Sequence, residues 1–161
     1  MQVKLIRIRL FDASVWHGAV AAASRLFSAF SFDIMDQPIS SIMQRDVHPV
    51  AMDDTVGQAE ALMKSRGITA APVRDVDGAV LGVLTETDLL RFHAQKRDPQ
   101  TVEAWEICSY RLLEAAPDTP LAEVAQRMLE RHVHHVVVLE GGKMKGIVSS
   151  LDFVRLYAEQ H

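Results

Sequence analysis

Apolar runs and amphipathic stretches alternate along most of the chain in a fixed order, and that order occurs twice. Residues 68–73 and 133–138 are short apolar runs typical of buried strands, and residues 56–65 and 121–130 have the spacing of helices. In each copy the pattern predicts strand, helix, strand, turn, strand and helix. A repeat of about 60 residues is too small to close its own core, so we expect the two copies to pack together and bury one shared core.

A local signature marks the end of each copy. The segment Gly82-Val83-Leu84-Thr85-Glu86-Thr87-Asp88 recurs 64 residues later as Gly146-Ile147-Val148-Ser149-Ser150-Leu151-Asp152. Both segments contain a glycine, two aliphatic residues, a hydroxyl and, three residues after the hydroxyl, an aspartate. The two copies therefore match in individual side chains as well as in their hydropathy pattern.

Turn and capping residues bound the predicted elements. Asp77-Gly78 and Gly141-Gly142 are hairpin signals between the last two strands of each copy. The pairs Asp54-Thr55 and Asp118-Thr119 are candidate caps of the first helices, and Thr87 or Ser150 is a candidate cap of a last helix. The polar stretch 91–101 is expected to be the linker between the copies.

The two copies resemble a tandem pair of cystathionine-β-synthase (CBS) domains, the Bateman module, over residues 39–157. The resemblance implies an α+β fold, β-α-β-β-α twice, with small sheets packed together. We place the first repeat at 36–97 and the second at 98–161, after an extension at 1–35. The family also implies clefts for adenosine-containing ligands (AMP, ADP, ATP, S-adenosylmethionine or NAD) and assembly into a homodimer.

Asp88 and Asp152 are the central candidates for ligand binding. A carboxylate at a strand-to-helix junction can accept both hydroxyl protons of a ribose diol through charge-assisted hydrogen bonds. The hydroxyls of Thr85 and Ser149 can bond ribose or phosphate. The alternative is that each aspartate is only a helix N-cap, and one residue can serve both purposes.

Other candidates line the entry segments 47–51 and 112–116, where aliphatic side chains such as Val50 and Leu113 would enclose a purine. By resemblance, His135 occupies a position that faces ligand phosphates. The first copy has Ala70 there, and His48 can partly substitute. The sequence therefore predicts tighter binding of phosphate-bearing ligands in the second cleft, at Ser149 and Asp152, than in the first.

Three histidines in four residues, His132, His134 and His135, raise the alternative of a metal or pH sensor. If they lie on one strand, only His132 and His134 share a face, and no further ligand follows at a suitable spacing. We therefore predict no metal site. Cys108 is expected to be a small buried residue rather than a reactive thiol.

Charge and composition limit the other classes of function. The 161-residue chain carries a net charge of −4, and no strongly basic footprint for nucleic acid is present. Its single cysteine allows no intrachain disulfide, which favours a reducing compartment, and we predict a cytoplasmic protein. No stretch reaches the roughly 18 apolar residues of a membrane span.

The first 35 residues differ from the rest in charge, with four basic and two acidic residues against 13 and 19 in the remainder. Apolar positions at Val15, Ala19, Ala22, Leu26 and Phe30 have helical spacing and predict an amphipathic helix. A cleaved signal is the alternative, although Asp12 and His17 interrupt its apolar region. Residues 1–10 fit either a strand or a helix.

No nucleophile with a base and an orienting group, no P-loop and no G-x-G-x-x-G motif occurs in the sequence, so we predict a protein that is not an enzyme. The leading hypothesis is a regulatory sensor that changes conformation or assembly on binding an adenosyl nucleotide and acts on an unidentified partner protein. The alternative is an interaction module that binds no ligand.

Overall fold

The computed structural model describes residues 34–159, and the predicted helix at 15–30 lies outside them. Residues Gln37–His161 form one compact unit of the chain. Among the described residues, no helix combines the length and apolarity needed to cross a membrane.

The first repeat has the predicted order of elements. After a short 3-10 helix, Ile39–Ser41, come β1 (Val50–Ala51), α1 (Val56–Arg66), β2 (Ala70–Arg74), β3 (Val80–Thr85) and α2 (Glu86–Ala94). Strand β1 pairs parallel with β2, and β2 pairs antiparallel with β3. Because α2 continues to Ala94, residues 91–94 are helical, and the prediction that the linker begins at Arg91 was wrong.

The second repeat copies this arrangement. It comprises α3 (Ala104–Ile107), β4 (Glu114–Ala115), α4 (Leu121–Arg131), β5 (His135–Glu140), β6 (Lys143–Ser149) and α5 (Ser150–Ala158). The sheet order is β4-β5-β6, with a parallel and then an antiparallel pair. The α+β tandem fold expected from the sequence is therefore confirmed.

Only one of the two predicted caps of the first helices forms. The Thr55 hydroxyl accepts from the Gln58 amide at 3.2 Å, and the Gln58 side chain accepts from the Thr55 amide at 2.7 Å, a complete capping box. The prediction for Asp118-Thr119 was wrong, because Pro120 is the N-cap of α4 and gives no side-chain bond. The first amide of α4, Leu121, instead donates to the Gln37 carbonyl at 2.9 Å.

Both hairpin turns lie where glycine signals predict them. Gly141 and Gly142 have φ values of 57° and 75°, as a two-residue turn with two left-handed positions requires. In the longer first hairpin, the Asp75 carboxylate accepts from the amides of Asp77 and Ala79. These local patterns fix the antiparallel register of each sheet.

Each repeat lends a segment to the sheet of the other. The Gln44 amide donates to the Ile147 carbonyl at 2.9 Å, and the Ile147 amide donates to the Gln44 carbonyl at 3.0 Å, so Gln44 lies along the free edge of β6. Ser109 pairs in the same way with Val83 on the edge of β3, at 3.0 and 2.9 Å. We call residues 37–44 and 102–109 the exchanged segments.

The signature glycines make this exchange possible. A Cβ atom on Gly146 would lie 2.6 Å from the Gln44 carbonyl oxygen, and one on Gly82 would lie 2.7 Å from the Ser109 carbonyl oxygen. Such distances are far inside van der Waals contact, so only glycine lets the borrowed segment approach the sheet edge.

The exchanged segments also join the core. Ala104 and Cys108 of the second repeat pack in one cluster with Val50, Val73 and Leu84 of the first repeat. Val102 packs with Val56 and Phe92 in a neighbouring cluster. The core is therefore shared between the repeats, as the sequence predicts.

Candidate functional site

The aspartates of the signature occupy the third position of α2 and α5, while the hydroxyl residues Thr85 and Ser149 are the N-caps. The aspartates are thus not the caps themselves, and the prediction of Thr87 or Ser150 as a cap was wrong, because both already lie inside the first helical turn. The spacing of three residues lets each carboxylate return to the cap, the geometry of a capping box.

Asp88 is held mainly by its own cap. Its Oδ2 accepts from the Thr85 hydroxyl at 2.5 Å and from the Thr85 amide at 3.0 Å. The other oxygen, Oδ1, lies 3.6 Å from Nη1 of the exposed Arg91. The Asp88 side chain is mostly buried, at 11% exposed.

Asp152 has the same cap and two further donors. Its Oδ2 accepts from the Ser149 amide and hydroxyl, both at 2.7 Å. Its Oδ1 accepts from the Gln44 side chain at 3.1 Å and from Nη1 of Arg155 at 3.3 Å. Sequence reasoning missed Gln44, which lies 108 residues from Asp152 and reaches it only through the exchanged segment.

His135 begins β5 opposite Ser149 and is half-buried. Burial lowers the pKa of its imidazole, and neighbouring His134 lowers it further, while the carboxylates of Asp152 and Asp88 act in the opposite direction. His135 therefore experiences the charge of both signature aspartates. In the first sheet Ala70 pairs with Thr85, which shows that Ala70 is the structural equivalent of His135.

The other two histidines are placed differently from the expectation. His132 ends α4 in a left-handed conformation, and His134 precedes β5, so the assumption that all three lie on one strand was wrong. In the part of the chain that the structure describes, no group of three or more histidine, cysteine, aspartate or glutamate side chains is arranged to hold a metal ion.

The entry segments contain the first strand of each sheet, β1 and β4. Val50 and Leu113 are 1% and 3% exposed, so a purine would meet them only as the floor of a cleft. His48 is partly exposed, and its Nε2 lies 3.5 Å from the Asp46 carboxylate. His48 thus has an acidic neighbour in Asp46, whereas His135 pairs with Ser149 between β5 and β6.

Cys108 is buried, as predicted, and its Sγ lies 3.7 Å from the Trp105 carbonyl oxygen. Burial raises the pKa of its thiol, an effect that the Tyr110 hydrogen bond opposes and the Asp88 charge adds to. A thiol kept protonated is a poor nucleophile, so Cys108 serves packing.

Comparison with protein families gives two matches to the CBS domain, over residues 39–94 and 104–159. Both matches lie inside the repeat bounds predicted from the sequence, although the bounds themselves stay predictions.

Among curated proteins, the CBS domain-containing protein YhcV of Bacillus subtilis is 30% identical over 69% of this chain and 79% of its own length. An uncharacterised protein of Methanocaldococcus jannaschii is 27% identical over 77% of this chain, but this chain spans only 32% of that protein. Inosine-5'-monophosphate dehydrogenase of Mycobacterium tuberculosis is 32% identical over 68% of this chain, a match that covers 20% of the enzyme.

Solved structures show the same fold. The CBS domain of a CBS domain-containing membrane protein from Sphaerobacter thermophilus superposes with a TM-score of 0.74 at 25% identity, over 85% of this chain and 97% of that chain. A putative signal-transduction protein with CBS domains from Burkholderia ambifaria has a TM-score of 0.70 at 30% identity, over 77% and 96%. A structure of hypoxic response protein I with two coordinated zinc ions has a TM-score of 0.65 at 27% identity, over 73% and 97%.

Proposed function

The chain belongs to the CBS-domain family, with two CBS domains in tandem, and from this membership we propose that it senses an adenosine-containing ligand and transmits that state to a partner protein. Tandem CBS domains are generally regulatory modules that bind adenosyl ligands, and proteins that contain them often oligomerise. In the dehydrogenase relative the match covers only a fifth of the enzyme. We accordingly propose a regulatory protein without catalytic activity of its own.

The observation that carries the proposal is the pair of equivalent carboxylates, Asp88 and Asp152. Each is fixed on the first turn of a helix by the hydroxyl and amide of the strand-end residue. A fixed carboxylate is a strong acceptor for the two hydroxyls of a ribose, because little order is lost when the ligand binds.

His135 is the candidate contact for a ligand phosphate in the second cleft. Burial favours its neutral form, so the free protein holds little positive charge at this position near neutral pH. A phosphate would favour the protonated form and would draw in a proton on binding. The candidate ligands that we propose remain AMP, ADP, ATP, S-adenosylmethionine and NAD.

Ligand binding changes a partner only if two states of the protein bind the ligand unequally. The exchanged segments are the part of the protein that could differ between the two states. They join the two repeats by backbone hydrogen bonds, and one of them bonds a signature aspartate, Asp152. We propose that occupancy alters this junction and, through it, the conformation or assembly of the protein.

Calorimetric titration with AMP, ADP, ATP, S-adenosylmethionine and NAD tests the proposal. We expect binding by the wild-type protein, and a thermal stabilisation of about 2.7 kcal/mol at a ligand concentration 100 times the dissociation constant. Replacing the carboxylate that binds the ribose removes a charge-assisted interaction, which should weaken binding by about 10- to 150-fold.

The informative variant is Asp88→Ala combined with Asp152→Ala, which should lose binding. Asp75→Ala is the matched control, because Asp75 also accepts backbone hydrogen bonds, from Asp77 and Ala79, but lies in the turn between β2 and β3. Each cap-linked substitution should also cost about 1 kcal/mol of stability, so binding is measured only below the melting transition. Unchanged affinity in the double variant would refute the site.

A second candidate function is assembly without a ligand. Apolar side chains stand exposed on α2 and α5, with Leu90 at 72%, Leu151 at 66% and Val154 at 60%. These faces favour a homodimer or a regulated partner, and a hexameric CBS-CP12 protein is among the structural neighbours. Titrations without heat for any nucleotide would favour this candidate, and a response to zinc alone would favour a metal sensor instead.

A further inference from the structure

The carboxylate of Asp152 has no acceptor capacity left. Two oxygens offer about four acceptor positions, and four donors fill them: the Ser149 amide and hydroxyl on Oδ2, and the Gln44 and Arg155 side chains on Oδ1. The side chain is only 8% exposed. A ribose diol can bond this carboxylate only after one of the donors leaves.

The equivalent carboxylate in the first repeat is less occupied. Asp88 also receives the amide and hydroxyl of its cap on Oδ2. Its Oδ1, however, has Arg91 at 3.6 Å, beyond hydrogen-bond distance. This oxygen can accept a ribose hydroxyl without displacing a bonded group.

The difference between the clefts comes from one pair of equivalent positions in the exchanged segments. Gln44 and Ser109 are held by the same two backbone hydrogen bonds, one against β6 and the other against β3. The long Gln44 side chain reaches Asp152. The Ser109 side chain is shorter, and within residues 34–159 its hydroxyl forms no hydrogen bond with Asp88.

We propose that Gln44 closes the second cleft to a ribose diol, so that the first cleft, at Asp88, binds adenosine-containing ligands more tightly. The inference rests on the proposed function and makes it specific. It reverses the ranking expected from the sequence, which was based on His135 and did not include a donor from the other repeat. Gln44 then determines how many ligands the chain holds.

Titration with AMP tests this ranking in the wild type and three variants. The wild type should bind one AMP per chain, and Asp88→Ala should abolish that binding. Gln44→Ser copies the first repeat and should open a second site, with affinity there raised by about 10- to 150-fold, the equivalent of one hydrogen bond to a charged group. Ser109→Gln should weaken the first site.

Backbone bonds hold the exchanged segment, so both variants should stay folded. Gln44→Ser also removes a hydrogen bond to a charged group and should lower the unfolding midpoint, so AMP binding is measured below that transition. AMP binding that survives Asp88→Ala would overturn the role of Gln44 and leave the proposed function standing. A Gln44→Ser protein that still binds one AMP would do the same. If neither the wild type nor Gln44→Ser binds any adenosyl ligand, the proposed function fails, and the inference fails with it.

Discussion

Replacing Gly146 by alanine tests the exchange of segments most directly. The added Cβ atom would lie 2.6 Å from the Gln44 carbonyl oxygen and 3.0 Å from the Met43 sulfur. Met43 can rotate away, but the carbonyl moves only if the segment leaves the edge of β6. The substitution therefore separates the exchanged segment 37–44 from the edge of β6.

The magnitude follows from what that separation costs. Overpacking costs about 1–3 kcal/mol, and the two backbone bonds between Gln44 and Ile147 contribute about 0.5–1.5 kcal/mol each if they break. Alanine restricts the unfolded chain and returns about 0.4–1 kcal/mol. We expect a net loss of about 3 kcal/mol in urea denaturation followed by circular dichroism, with a melting temperature lower by about 6–12 °C.

Gly82→Ala should behave alike, because its Cβ atom would lie 2.7 Å from the Ser109 carbonyl oxygen. Gly67→Ala is the control: nothing lies within 4 Å of its Cβ position, and only the left-handed backbone, at φ 62°, opposes alanine. We expect Gly67→Ala to lower the free energy of unfolding by about 1 kcal/mol. A Gly146→Ala protein as stable as the wild type would refute the close approach, since alanine by itself should then stabilise the chain.

The remaining predictions concern single side chains. His132 ends α4 at φ 53°, where α1 has Gly67, so His132→Gly should stabilise the protein by about 1 kcal/mol in the same denaturation assay; a loss of stability would contradict the strain. Burial lowers the pKa of His135, so its contribution to the free energy of unfolding is complete above the ordinary pKa of 6.5 and is lost as the pH falls below that value. His135→Gln should therefore flatten this part of the profile of stability against pH. An unchanged profile would show that His135 is not the cause of this pH dependence. Val154→Lys should dissociate the expected homodimer in sedimentation, whereas Val76→Lys, in an exposed turn, should not; a wild-type monomer at micromolar concentration would contradict the dimer.

Much of the fold follows from local patterns. Short-range features can be predicted from the sequence because they depend on residues a few positions apart. They include the order of elements, the two hairpins and the capping box at Thr55. The predicted cap of α4 at Asp118-Thr119 does not form: Pro120 is the N-cap, and the first amide of α4 donates to the distant Gln37 carbonyl. A hydrogen bond between residues so far apart in the chain cannot be predicted from the pattern of neighbouring residues.

The candidate site divides in the same way. The sequence alone determined that a hydroxyl and an aspartate recur at the end of each repeat, because their spacing of three residues is a property of one helical turn. Only the tertiary structure decided that Gln44 bonds Asp152 and that Ser109 leaves Asp88 without an equivalent donor. The physical reason is that an exchanged segment is positioned by backbone pairing on the edge of the other repeat's sheet. Side chains 108 residues apart then meet through a register that neither neighbourhood encodes by itself.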